Sequence, residues 1–234
     1  MSRVENKLDL DRIVFIGRSY EEYMEMFSLN EELLNGKKIL DCPAGACSFT
    51  AIASEKGYDV TACDLVYSIP AEQIKKKGLH DIHHVIGSMN DVKDSYVWEF
   101  HKNLDQLNKH RKNALLDFVE HFGKFPSKYV TAILPQLPFQ NEQFNITLSA
   151  HFLFTYGDRL DYSFHIETIK ELLRVTKNEV RIFPLVDLEG KRSPYIDQLL
   201  AELKDLIDYE EVNVPYEFQK HANTMLKLYK KRKS

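Results

Sequence analysis

An apolar run that stops at Asp41 and Cys42 is followed by a turn of small residues, Pro43 to Ala46, and then by a helix-forming stretch starting at Cys47 or Ser48. Small side chains let a ligand approach the backbone, and the free amide hydrogens of a helix start can meet its polar atoms. Asp64 stands nineteen residues after Gly45, at the tip of the next apolar run. An acid at that distance is placed to accept hydrogen bonds from both hydroxyls of a ribose. Turn and acid on one strand–helix–strand unit point to an adenosine-containing cofactor. A nicotinamide dinucleotide is the competing reading, but its Gly-x-Gly-x-x-Gly pattern would fall on Pro43, Gly45 and Ser48.

The cysteines, Cys42, Cys47 and Cys63, are odd in number and clustered, so they form no disulfide framework. They are expected to be small buried residues in a reducing compartment. Their spacing matches no zinc pattern, and His83-His84 lacks a nearby third ligand, so no metal is expected.

The elements that must position these residues alternate. Ser19, with Glu22 three residues on, caps a helix expected to run to about residue 34. Strands are expected at 37–42 and 59–64, with a helix from 48 to 56 between them. A long, charged and mostly helical region, 70–127, follows, with its strongest helical core at 94–122. Further strands are expected at 128–134, 144–149 and 179–185, with a helix from 161 to 176 before the last. Pro194 opens a helix to about 207, and strands at 209–214 and 223–229 close the chain as an antiparallel hairpin. The sum is a single α/β domain over 1–234: a doubly wound, mostly parallel seven-stranded sheet with a C-terminal antiparallel hairpin. The region 70–127 is longer than one crossover needs, and is expected to form a helical cap over the strand C-terminal ends.

The stretch Asp-Cys-Pro-Ala-Gly-Ala-Cys resembles the first motif of class I S-adenosylmethionine-dependent methyltransferases, a Rossmann-like fold. Asp64 matches their ribose-binding acid, and Leu137–Phe154 is similar to their characteristic loop and fourth strand. The likeness looks closest to bacterial members and covers about 37–185 apart from the insertion. It implies S-adenosyl-L-methionine as cofactor. Asp41 and Gly45 would bear on its methionine end, with Ala44, Ala46 and Cys47 lining the turn. Asp64 and Leu65 would hold the ribose, Ile133 and Leu134 would flank the adenine, and Ser149 and Ala150 would lie beside the sulfonium. The chain departs from the family's Gly-x-Gly-x-Gly pattern at Pro43 and Cys47, and Ile133 and Leu134 stand where an acid often meets the adenine.

Methyl transfer from a sulfonium needs alignment and a shielded pocket more than reactive side chains. An acceptor hydroxyl or amine would also need a base, and His151, two residues past Ser149, is best placed for that role. Packing in the wall or a hydrogen bond to backbone is at least as good a reading of the same histidine. Tyr156, Asp158 and Arg159, on the loop that follows, could position substrate, although ordinary loop and helix-capping polarity is the stronger reading. Arg18 or Tyr20 could meet the cofactor carboxylate, although a solvated helix face is the stronger reading. The segment 216–221 could reach the site's mouth, although hairpin packing is the stronger reading there.

With 44% hydrophobic residues a sizeable core is affordable, and a net charge of −4 argues against a surface built for bulk phosphate contact. No apolar run is long enough to span a bilayer, and the N-terminal residues lack a secretory pattern, so a cytoplasmic enzyme is expected. The expected acceptor is a small molecule. An RNA or protein acceptor, or a non-catalytic S-adenosylmethionine-binding protein, is the alternative. Composition and spacing leave the oligomeric state open.

Overall fold

In a computed structural model, residues 14–231 are described. Seven strands form one sheet: β1 (Lys38–Asp41), β2 (Asp59–Cys63), β3 (Tyr129–Val130), β4 (Phe144–Ala150), β5 (Thr176–Phe183), β6 (Ile207–Asn213) and β7 (Thr224–Lys230). Their spatial order is β3-β2-β1-β4-β5-β7-β6. The first five in that order pair in parallel, and β7 runs antiparallel to both β5 and β6. This is the fold expected from the sequence, down to the terminal hairpin.

Both faces of the sheet are covered, which is why β1 from Ile39, β4 and the second half of β5 are almost continuously buried. Ile39 faces one cluster with Phe49 and Phe27, while its neighbour Leu40 faces another built on α6 (Tyr162–Val175) and α7 (Tyr195–Leu203). Strand β6 is the outer edge, and it carries exposed Asp208, Glu210 and Glu211, charges that discourage pairing with another chain.

Three expected elements differ. The helix foreseen over 19–34 is two: α1 (Tyr20–Met26) and α2 (Glu31–Leu34). Ser28 takes a φ of 46°, and the Asn30 side chain accepts from Leu33 N to start α2 afresh. The Ser19–Glu22 capping box is present as read.

The helical core foreseen at 94–122 instead starts at Leu104. The long helices are α4 (Ala71–Met89) and α5 (Leu104–Lys124), the latter capped by Asn103. Between them Tyr96 bridges Gln219 and Val97 N donates to Phe218 O at 2.7 Å. Tyr96, Val97, Trp98 and Phe100 favour extended backbone over helix, and pairing with the distant hairpin loop holds the segment so. The strand foreseen at 128–134 is only Tyr129–Val130, since from Thr131 the chain leaves the sheet to form the rim of the cavity described below.

Within the region between β2 and β3, Leu115 and Phe118 of α5 pack on Tyr67 and Tyr129, so α5 is the crossover helix. Helix α4 lies on α5 so closely that a Cβ at Gly78 would come within 2.7 Å of Leu115 Cδ1. The α3 helix (Phe49–Glu55) links β1 to β2.

Candidate active site

A cavity of about 630 Å³ opens at the C-terminal ends of β1, β2 and β4, reached by Cys42, Cys63 and Ala150. Sheets of this kind place their ligands there.

The turn after β1 is held by its own backbone. Ala44 N donates to Cys63 O at 3.0 Å, Cys47 N donates to Ala44 O at 3.2 Å, and Gly45 takes a φ of 56°. That left-handed conformation suits glycine, and a Cβ added there would meet the Phe15 ring at 3.7 Å. Asp64 ties the turn to the next strand: its Oδ2 accepts from Gly45 N at 2.9 Å and its Oδ1 from Val66 N at 3.0 Å. Each carboxylate oxygen retains a further lone pair, and Asp64 lines the cavity. Burial raises the Asp64 carboxyl above its usual range, opposed by those two amides.

Of the other residues expected to bind cofactor, Ala44, Gly45, Cys47, Leu65, Ile133, Leu134 and Ala150 line the same cavity. Leu65 and Ile133 are 52% and 63% exposed and form its rim. Asp41, Ala46 and Ser149 do not line it; they are buried in its floor. Asp41 accepts from Tyr23 OH at 3.0 Å through Oδ1, and its Oδ2 has no partner among the described residues. Burial pushes its carboxyl well above the ordinary range, against the Tyr23 hydrogen bond, and the nearby Asp64 adds to the rise. Ala46 is pressed against the segment before α1: a Cβ on Gly17 would lie 1.9 Å from its carbonyl oxygen. Ser149 Oγ also has no partner among the described residues. Cys47 accepts from Arg18 N at 3.2 Å through Sγ, and burial, then the Asp41 charge, pushes its thiol up to about 12.

His151 sits just past the end of β4 with a φ of 49°. Non-glycine residues hold that conformation only when their surroundings impose it. Here His151 N donates to Phe183 O at 2.6 Å and its ring meets Phe183 edge-on at 5.4 Å. Its Nε2 has no partner among the described residues. Burial, and after it the Arg18 charge, holds its pKa well below the ordinary value, so the imidazole is neutral but weakly basic. Tyr156 lines the cavity and its hydroxyl receives Val14 N. Arg159 lies over the outer face of the Tyr156 ring at 5.6 Å and is not part of the lining.

The opposite wall comes from distant segments. Ile82, Val85, Ile86 and Met89 present one face of α4, Leu107 and Arg111 one face of α5, and Phe218 and Gln219 come from the hairpin loop. The hairpin loop therefore both packs and reaches the cavity. Arg18 lines the cavity, whereas Tyr20 is stacked on Phe49 at 5.8 Å and stays outside it.

Behind this wall lies an ion cluster that sequence reading missed. The Glu22 carboxylate, fully buried, accepts from Arg111 Nη1 at 2.5 Å, Tyr216 OH at 2.5 Å and Ser19 N at 2.8 Å. Arg18 Nε stands 3.9 Å from it and His101 Nε2 3.4 Å. Burial alone would raise the Glu22 pKa, but the Arg111 charge and the hydrogen bonds of His101 and Arg111 hold it well below the usual range. Burial pushes His101 down to about 4. The capping-box spacing showed why Glu22 stands near Ser19. Nothing in the local pattern revealed Arg111, 89 residues further on.

No helix among the described residues is long and apolar enough to cross a membrane, and none of their His, Cys, Asp and Glu side chains cluster into a metal site.

No family model matches the chain. Solved structures of similar form include a methyltransferase of Methanosarcina mazei, with 15% identity, coverage of 88% of this chain and 99% of that one, and a TM-score of 0.45. A TehB-like methyltransferase of Corynebacterium glutamicum has 13% identity, coverage of 92% and 88%, and a TM-score of 0.46. The tRNA (m1A58) methyltransferase TrmI of Aquifex aeolicus has 10% identity, coverage of 92% and 69%, and a TM-score of 0.43. These likenesses are too coarse to carry an argument about activity, and the fold rests on the strand order itself. In sequence the chain is 36% identical over 220 residues to the uncharacterized protein MJ0045 of Methanocaldococcus jannaschii, covering 94% of this chain and 97% of that one. With that identity over nearly the whole of both chains, the protein belongs to the family of MJ0045.

Proposed function

We propose that the protein is an S-adenosylmethionine-dependent methyltransferase acting on a small-molecule acceptor. The observation that carries this reading is the Asp64 carboxylate, braced by two amides and presented to the cavity beside the left-handed turn at Gly45. The residues fit an adenosyl group with an amino-acid arm. Asp64 keeps a lone pair on each oxygen for two ribose hydroxyls, and Leu65, Ile133 and Leu134 offer an apolar slot for a purine. Gly45 leaves room for the arm, and Ala150 and His151 stand at the end of β4 where the methyl group would lie.

When bound, the cofactor supplies an activated methyl group. The protein's own part is to align it and to exclude water, tasks suited to an apolar wall built by α4, α5 and the hairpin loop. A cavity of this size, with a mostly apolar lining, suits a small acceptor better than a polymer.

Isothermal titration of the full chain with S-adenosylmethionine and with NAD(H) tests the reading. Binding of the former in the micromolar range, with none of the latter, is expected. Preference for NAD(H) would contradict it.

A further inference from the structure

The half of the cavity lined by α4, α5 and the hairpin loop is apolar in body and positive at one end. Its body is the α4 face, Ile82, Val85, Ile86 and Met89, with Leu107 and Phe218. Its polar end is Arg111, His151 and Arg18, the last entering beside the cradle turn where its N donates to Cys47 Sγ at 3.2 Å; both arginine charges act on the His151 ring.

The charges at that end do not balance. Arg111 and Arg18 share the single Glu22 carboxylate, at 2.5 Å and 3.9 Å, and Arg18 Nε has no hydrogen-bond partner among the described residues. Lys77, the other lining cation, is already engaged by Asp81 at 2.6 Å. Asp64, the one carboxylate in the described lining, is engaged by the Gly45 and Val66 amides. A buried charge is costly unless an opposite charge meets it. A sulfonium cofactor with its own ammonium and carboxylate adds a further net positive charge.

The same half also offers little means of removing a proton. Burial holds Tyr96 up to about 12 and raises Tyr156, while it pushes His151 well down. Among the described residues of this half there is no base matched to neutral pH, which an alcohol or ammonium acceptor would need.

On the reading proposed above, we infer that the methyl acceptor is a monoanionic carboxylic acid with a compact apolar body, esterified on its carboxylate. The carboxylate meets Arg18 and the Arg111 edge, with the neutral His151 ring donating one N–H to it, and the body lies on the α4 face. One carboxylate oxygen forms a bond to the methyl carbon as the carbon–sulfur bond breaks, and that electron pair passes to sulfur. A carboxylate and a sulfonium become a neutral ester and a neutral thioether, and no proton moves. The basic, apolar chamber thus recognises the reactant and holds the uncharged ester less strongly.

The test uses the full chain saturated with S-adenosylhomocysteine, titrated with octanoate and phenylacetate and with the amide of each. Each acid is expected to bind about tenfold more tightly than its amide, the scale of a charge-assisted hydrogen bond. In Arg18→Gln, again saturated with S-adenosylhomocysteine, that preference should fall below about threefold. With methyl-labelled S-adenosylmethionine, the label transferred to either acid should be released as methanol by mild alkali. Equal binding of acids and amides, an unchanged preference in Arg18→Gln, or alkali-stable label would overturn the acceptor class while leaving the cofactor reading standing. Failure of the wild-type chain to bind S-adenosylhomocysteine at all would overturn both.

Discussion

The two walls of the cavity are made in different ways. The cradle wall is local and largely backbone: from Lys38 to Val66 one strand–helix–strand unit supplies the turn, its left-handed Gly45 and the bracing Asp64. The facing wall is assembled from side chains of α4, α5 and the hairpin loop, joined behind the wall through Glu22 of α1 to residues up to 194 positions away. Local backbone geometry can hold a common chemical group in one way, whereas a wall drawn from distant segments can be reshaped to suit a particular acceptor. The difference predicts that damage to the facing wall costs stability, and damage to the cradle costs cofactor.

The largest effect is expected from Glu22→Ala. It leaves Arg111 buried without its carboxylate, so unfolding stability should fall by about 3–5 kcal/mol by chemical denaturation. Unchanged stability would mean that the facing wall does not depend on the ion cluster.

Acid should loosen the same wall. His101 titrates at about 4 in the folded chain against an ordinary value of 6.5, so between those values the unfolded chain binds more protons. Stability from His101 is therefore complete above about pH 6.5 and is lost as pH falls towards 4, up to about 3 kcal/mol. Glu22, depressed below its ordinary value, adds a loss of the same sign at still lower pH. His101→Gln should flatten the fall in thermal midpoint between pH 7 and about 4.5. An unchanged slope would assign the pH response to other groups.

Gly45→Ala sharpens the comparison from the cradle side. Forcing a Cβ onto a φ of 56° costs roughly 1–2 kcal/mol. The added Cβ would meet the Phe15 ring at an ordinary van der Waals 3.7 Å, and it would narrow the space proposed for the cofactor's arm. Cofactor affinity should fall more than that strain alone implies, read by titration beside a melting curve.

The smallest effect belongs to the rim. Ile133→Ala removes an exposed side chain, so stability should change by under about 0.5 kcal/mol while cofactor binding weakens by roughly threefold.

The same contrast decides what was legible in the sequence. The cradle could be read because Gly45 and Asp64 lie within one short unit whose spacing is dictated by strand and helix lengths. Even there, Asp41 and Ser149 face the floor: strand alternation turns only some residues at a strand end towards the ligand. The facing wall was mostly illegible. Residues 96–103 fall within the expected helical core, yet Tyr96 and Val97 pair with Gln219 and Phe218 across the fold. Glu22 reads as an ordinary capping residue until Arg111 and Tyr216 are brought to it.

The most direct measurement is calorimetric titration of S-adenosylmethionine into the wild-type chain and into Asp64→Ala. The account predicts binding to the former and a loss of about 100-fold or more in the variant, as two hydrogen bonds to a carboxylate disappear. Equal affinity in the two proteins would place the nucleoside sugar elsewhere and contradict the cradle.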